Sequence, residues 1–361
     1  MMMIIFEKLL IFFLSRLPPE YAHKSTLLLL RVGLNKRKKI KNNFNLKTRL
    51  FGYSLSNPVG LAAGFDKNAE ALKGLLKLNF GFIEVGTVTP KPQTGNEKPR
   101  VFRLKKNKSL INSLGFPNKG AVKVYENILK IRNKHKLGQE PLIGINIGCN
   151  KNSSNPIDDY LFLLEKFYLV ADYITINISS PNTPGLRDFH KKEKLDELLR
   201  KIKEKALFLK RETSYTLPLA IKISPDLKLR ELTILTKTVI NYKFDAIIAT
   251  NTSINKDLFL DKKYYTNKGG ISGKSLFEYS NKTLKNLKKI SRNKITIIAS
   301  GGVNDWISIK DKISLGAKAV QIYTGLVYEG PSMISKSLEL LSNYLKKEKI
   351  SNISKLPLSL K

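Results

Sequence analysis

The 361-residue chain has one cysteine, Cys149, and three scattered histidines, His23, His135 and His190. A lone cysteine excludes a disulfide framework and any multi-cysteine zinc or iron–sulfur site. Three histidines far apart in sequence do not make a histidine-based metal centre by themselves. Long hydrophobic runs are missing too: no uninterrupted apolar stretch reaches the roughly 18–20 residues that a membrane-spanning helix needs. A secreted scaffold, a metalloenzyme and a multi-span membrane protein are therefore not expected. Acidic residues are scarce, 29 against 64 Lys and Arg, which leaves a net charge of +35. Clustered Lys and Arg would invite a nucleic-acid reading. Here lysine is spread over the whole chain, in pieces such as Lys36–Lys39, Lys105–Lys108, Lys191–Lys194 and Lys285–Lys289. That pattern reads as a solvated surface; nucleic acid is not expected as a partner, and charge alone does not identify one.

What is present suffices for a sizeable core, with 42% hydrophobic and 9% aromatic residues. The first forty residues stand apart. Met3–Arg16 is apolar except for Glu7, Lys8 and Ser15, which share one stripe at helical spacing. Pro18 and Pro19 end it, and Pro19 suits the first turn of a second helix over Glu20–Gly33. Two short helices this apolar need a third surface. That surface is either the protein's own body or an anionic membrane interface, with the basic stretch Lys36–Lys41 at the headgroups. No small-residue cleavage site follows the apolar run, which argues against a signal peptide, and Met1–Phe13 is not an Arg- and Ser-rich mitochondrial presequence.

After Leu50, short apolar runs alternate with amphipathic stretches. The expected strands are Val59–Ala63, Gly81–Gly86, Leu142–Asn146, Tyr173–Ile178, Leu219–Ile223, Ala246–Thr250, Thr296–Ser300 and Ala319–Tyr323. Helical patterns between them cover Asn68–Leu78, Val122–Lys134, Ile157–Val170, Leu195–Lys210, Lys228–Tyr242 and Leu276–Ile290. Eight such alternations over about 300 residues favour a (β/α)8 TIM barrel, an α/β fold, with an open doubly wound sheet as the alternative. The division expected is 1–45 as a small two-helix extension, 46–346 as the barrel, and 347–361 as a tail.

Nearly every strand runs out into a polar or glycine-containing signature, and in such a barrel these ends share one rim. Gly301-Gly302 and Tyr323-Thr324-Gly325 follow strands seven and eight, where glycine lets backbone N–H groups approach a phosphate. Gly269–Gly273 reads as another flexible loop. Lys67 stands beside Asp66, so an ion pair is its plain explanation. Lys222, in an apolar strand, should point into the barrel, where a buried cation needs an anionic partner. Asn112, Asn146, Asn177, Asn182 and Asn251 offer amides to a planar, amide-rich ligand. The rim holds no catalytic histidine and no carboxylate pair; from the residues alone, Ser179 or Ser180 reads as a turn residue before it reads as a base.

The strings Asn57–Lys67 (NPVGLAAGFDK), Glu84–Pro90 (EVGTVTP), Pro99–Leu104 (PRVFRL), Ile111–Phe116 (INSLGF), Gly144–Gly148 (GINIG), Ile176–Arg187 (INISSPNTPGLR), Ala249–Thr252 (ATNT), Gly269–Gly273 (GGISG) and Val320–Gly325 (VQIYTG) resemble, in order, the dihydroorotate dehydrogenase family. The resemblance is to the membrane-associated, quinone-dependent class 2. It implies oxidation of (S)-dihydroorotate to orotate on FMN, a step of pyrimidine synthesis. By it, FMN is held by Ala63, Gly64, Phe65, Asp66, Lys67, Thr87, Asn146, Asn177, Lys222, Thr250, Gly273, Gly302, Tyr323 and Thr324. Substrate is held by Lys67, Asn112, Ser113, Leu114, Gly115, Phe116, Asn177, Asn182, Asn251 and Thr252. Ser180 becomes the base that takes the C5 proton, where the soluble class uses cysteine, and Cys149 becomes a bystander. Lys222 offsets charge at the flavin N1/C2=O edge. The N-terminal helices become the membrane-docking and quinone-access module, with His23 and Arg103 beside the quinone; an exposed histidine is the plain alternative for His23. A monomer is implied, peripheral on the cytoplasmic face of a bacterial inner membrane. Ser113 and the Gly273-Lys-Ser-Leu276 run depart from the family pattern. A dihydrouridine synthase acting on tRNA is the rival flavin barrel, disfavoured because no cysteine lies near the base motif.

Overall fold

Every expected barrel strand forms, to within two residues at either end. The computed structural model describes residues 2–32, 44–259 and 268–359. In it Val59–Leu61, Phe82–Val88, Leu142–Ile147, Tyr173–Asn177, Leu219–Ile223, Ala246–Ala249, Thr296–Ser300 and Ala319–Ile322 pair in parallel and close into a barrel. Each is buried along almost its whole length because its outer face meets helices and its inner face meets the barrel interior. The alternative of an open sheet is thereby excluded.

Polarity is graded along the barrel axis. The lower interior is apolar, filled by Phe82, Leu142, Tyr173, Ala220, Ala246, Ile248, Ile298 and Ala319. A hairpin of Thr48–Leu50 and Tyr53–Leu55 closes that end, with Leu50 and Leu55 packed into it. One layer higher, Glu84, Thr175 and Gln321 replace the apolar residues. Higher still come Asn146, Asn177 and Lys222, the last two register partners on adjacent strands, so that both side chains face inward.

Two expectations need correction. Asn68–Leu78 forms a helix only over Leu72–Leu75, because the Asp66 carboxylate accepts from the amides of Asn68, Glu70 and Ala71 and holds the preceding residues in a non-helical turn. Gly269–Gly273 is no flexible loop: Gly270–Gly273 is a strand, antiparallel to Ser109–Asn112, which pairs in turn with Val101–Leu104. This small sheet stands on the rim and brings Asn112 over the barrel mouth. The last helix runs Ser332–Lys347, and in the segment expected as a tail Ile353 and Leu356 are buried in the main core.

The N-terminal segment forms two helices, α1 (Met2–Leu14) and α2 (Pro19–Val32). The barrel covers one side of them. Glu7 accepts from Ser332 N at 2.7 Å, which ties α1 to the start of the last helix. At the α1–α2 turn, Arg103 donates to the carbonyls of Leu17 at 2.7 Å and Ser15 at 3.3 Å. Arg100 donates to the Glu20 carboxylate through Nε and Nη2, at 3.1 and 2.9 Å. The α2 backbone then comes so close to Leu72–Leu75 that a Cβ on Gly74 would lie 2.1 Å from the Leu30 oxygen. The other side is bare: Leu9, Phe12 and Phe13 on α1, and Tyr21, Leu28 and Val32 on α2, are exposed. Among the described residues no helix is long and apolar enough to cross a membrane. The basic stretch 36–41 lies outside the described residues.

Candidate functional site

A cavity of about 1150 Å³ occupies the C-terminal mouth of the barrel and continues beneath α1 and α2, where Ile11, Leu14, Ala22 and Leu27 line it. It collects most of the expected site residues. Ala63, Gly64, Phe65, Lys67 and Thr87 reach it from the first two strand ends. Asn177, Ser180 and Asn182 reach it after the fourth strand, Lys222 on the fifth, and Thr250, Asn251 and Thr252 after the sixth. Gly302, Tyr323 and Thr324 come from the last two, Gly273, Asn112, Leu114, Gly115 and Phe116 from the small sheet and its loop, and His23 and Arg103 from the roof.

Asp66, Asn146 and Ser113 do not line it. The fully buried Asp66 carboxylate makes the three amide contacts described above; burial raises its pKa and the amides oppose that shift. Lys67 therefore does not form the expected ion pair. Its Nζ donates instead to Gly64 O at 2.5 Å. Asp66→Ala should leave three amides without their acceptor and cost about 3 kcal/mol of stability, read as a lower urea midpoint at an unchanged m-value. Asn146 lies behind the wall, bonded to Thr87 and Asn177 in front of it, and the Ser113 backbone amide donates to Arg100 O at 2.8 Å.

The asparagines form two connected groups, Asn146 with Asn177 and Asn251, and Asn112 with Asn182. Asn146 accepts from Thr87 Oγ1 at 2.6 Å and from Asn177 Nδ2 at 3.1 Å. Asn251 Nδ2 reaches Asn177 Oδ1 at 3.3 Å and Ser179 Oγ at 3.0 Å. Asn182 Nδ2 reaches Asn112 O at 3.1 Å. Such mutual bonds fix the amide planes and pre-organise the donors and acceptors that face the cavity.

Below them lies a group that sequence reasoning missed. The Glu84 carboxylate is fully buried and accepts from Asn146 Nδ2 at 2.8 Å, Gln321 Nε2 at 2.8 Å, and the Tyr173 and Thr175 hydroxyls, each at 3.1 Å. Four donors satisfy its charge in place of water. Lys222 stands nearby; burial draws its pKa below the usual lysine range, and the Glu84 charge opposes that shift. The Lys222 ammonium makes no hydrogen bond to a described residue. Gln321 lines the cavity, and its Oε1 is buried without a partner among the described residues. A cation and an orphan acceptor at the floor of one cavity both call for a ligand.

Ser180 is only 5% exposed, and its Oγ accepts from Asn182 N at 3.3 Å. Three residues on, Thr183 Oγ1 is buried without a partner among the described residues. The loop carrying them is anchored by Arg187, which donates to Ser179 O at 3.3 Å and to the Asp226 carboxylate at 3.0 Å. Asp226 also accepts from Ser253 Oγ and Ile254 N, so one ion pair ties the Ser180 loop to the Asn251–Thr252 loop. Neither residue was singled out from the sequence. At the roof, the His23 ring packs edge-on against Phe65 at 5.3 Å and is half-buried, so the exposed-histidine alternative does not hold. Burial first, and then the Lys67 charge, lower its pKa to about 3, which keeps the ring neutral. Cys149 is buried, and burial raises its pKa to about 11, the profile of an inert thiol.

The sequence family described as Dihydroorotate dehydrogenase matches residues 45–345. A protein of Bartonella henselae named dihydroorotate dehydrogenase (quinone) is 40% identical over 340 residues, covering 94% of this chain and 92% of that one. A protein of Dechloromonas aromatica with the same name is 43% identical over 302 residues, covering 82% and 86%. The crystal structure of DHODH from Eimeria tenella in complex with ferulenol superposes with a TM-score of 0.89 at 34% identity, covering 95% of both chains.

Proposed function

The chain belongs to the dihydroorotate dehydrogenase family, and we infer that it is a quinone-dependent member. It oxidises (S)-dihydroorotate to orotate in pyrimidine biosynthesis and hands the electrons to a quinone. The family is flavin-dependent, and FMN is the flavin we assign. The residues present fit that group: Lys222 offers a buried cation that bonds to no described residue, and Gln321, which lines the same cavity, has a buried Oε1 with no partner among the described residues. Thr87, Asn177, Lys222, Thr250 and Tyr323 would hold the ring system, and the Gly273, Gly302 and Thr324 segments its phosphate. The chemistry FMN supplies when bound is two-electron: it accepts hydride from C6 of the substrate and passes the electrons on to quinone.

The protein's own groups do the rest. Asn112, Asn177, Asn182 and Asn251 grip the amide-bearing ring of dihydroorotate, and the Lys67 cation, brought down to about 8 by burial, answers its carboxylate. Ser180 Oγ takes the C5 proton in a site from which water is largely excluded, and Thr183 Oγ1 offers an onward acceptor. Lys222 would place its positive charge against the ring system of the bound flavin.

Residues 1–45 serve as the membrane and quinone-access module and 46–346 as the flavin barrel. The exposed apolar face of α1 and α2, with Lys24 and Arg31 also exposed on α2, is suited to peripheral docking on an anionic membrane. A bacterial inner membrane, on its cytoplasmic side, is the location we assign, with the protein acting as a monomer. Quinone then enters beneath the two helices, past His23 and Arg103.

The observation that carries this reading is the single cavity running from Ser180 and Lys222 to the apolar slot under α1 and α2. An anaerobic titration of the detergent-purified protein tests it. Dihydroorotate should bleach the visible flavin band, a short-chain quinone should restore it, and fumarate should not. A band indifferent to dihydroorotate, or restored by fumarate alone, would refute the assignment.

A further inference from the structure

Behind the cavity wall lies a buried cation that the chemistry above does not use. Lys312, on the helix Trp306–Ser314, is fully buried, and its ammonium donates to Ser280 Oγ at 2.5 Å. No carboxylate among the described residues forms an ion pair with it; the Phe277 ring lies 5.2 Å away, and Glu278 acts only at longer range. Burial with no paired anion lowers its pKa to about 7, so its charge is held in full only when an anion stands nearby. Ser280 belongs to the first turns of the helix Phe277–Ser291, whose positive dipole end adds to the same field. An unpaired buried cation at the positive end of a helix is costly unless an anion answers it.

The place where such an anion fits is one layer away. The Ser280 hydroxyl lies 3.0 Å from Gly301 O and 2.9 Å from Phe277 O. Gly302 has φ +78°, and a Cβ there would lie 2.5 Å from Phe277 Cα, so the glycine loop is pressed directly onto this turn. Gly301 and Gly302 line the cavity; Lys312 and Ser280 do not. We propose that Lys312 is a positioning residue for the FMN phosphate, which fixes the Gly301–Gly302 loop through Ser280 and supplies positive charge from behind it. The inference rests on FMN being the flavin. It explains why a lysine rather than a methionine fills this volume.

The test compares FMN with riboflavin, which has the same ring and lacks the phosphate. Affinities of both for the full-length, flavin-depleted protein are read from quenching of flavin fluorescence. Lys312→Met should weaken FMN about 10- to 100-fold and leave riboflavin unchanged. Ser280→Ala should weaken FMN less, again with no effect on riboflavin, and it decides the matter if the lysine variant does not fold. An equal loss for both flavins would mark a packing role and overturn the proposal, as would no loss at all. Unmodified protein that binds no FMN would instead refute the flavin assignment itself.

Discussion

Ser180→Ala is expected to slow flavin reduction by dihydroorotate by about 10³-fold, without loss of bound flavin. The substitution removes one oxygen from a residue that is 5% exposed and whose hydroxyl makes one hydrogen bond among the described residues, the 3.3 Å bond from Asn182 N. Little stability rests on that bond, so the variant should fold and load normally. The loss falls on the acceptor for the C5 proton. A neutral serine is a weak base in water, and its use here depends on the dry, pre-organised setting that Arg187 and Asp226 impose on the loop. Stopped-flow reduction under anaerobic conditions isolates this step. Reoxidation of chemically reduced enzyme by quinone, which needs no C5 base, should be unchanged. A reduction rate within tenfold of the unmodified enzyme would place the base elsewhere.

The barrel was legible because each strand is an apolar run of fitting length that ends at a polar signature. The N-terminal pair was legible for the same reason, since Pro18 and Pro19 punctuate two amphipathic stretches. Local competition hid the rest. Asn68–Leu78 has helical spacing, but Asp66 offers its backbone amides a nearer acceptor, and the helix shrinks to Leu72–Leu75. Gly270–Gly273 carries turn composition, yet its partner strand is 158 residues away in sequence, where Asn112 pairs with Gly270, and no local pattern reports that. Asp66 belongs to the family string, and its carboxylate is bonded to the backbone amides of Asn68, Glu70 and Ala71. Glu84 could have been found. The argument that singled out Lys222, a charge in an otherwise apolar strand, applies equally to Phe82–Val88, and the two residues proved to be neighbours.

That neighbourhood gives the second large effect. Lys222→Met keeps the length of the side chain and removes its charge. Glu84 stays satisfied, because its four donors come from Asn146, Gln321, Tyr173 and Thr175 rather than from the lysine. The barrel should therefore remain folded, and the missing charge should act on the flavin alone. Reduction by dihydroorotate is expected to slow by on the order of 10²–10³-fold. The two-electron potential should move negative by roughly 30–60 mV, or about 1.4–2.8 kcal/mol less stabilisation of the reduced form. Glu84→Gln supplies the complementary sign. Removing a buried negative charge near the same edge should move the potential positive, although the proton-transfer apparatus at Ser180 is untouched. If both variants shift the potential in the same direction, the effect is misplacement of the ring. Opposite shifts, measured by spectroelectrochemistry on protein with equal flavin content, would establish that the pair sets the field in which the flavin is reduced.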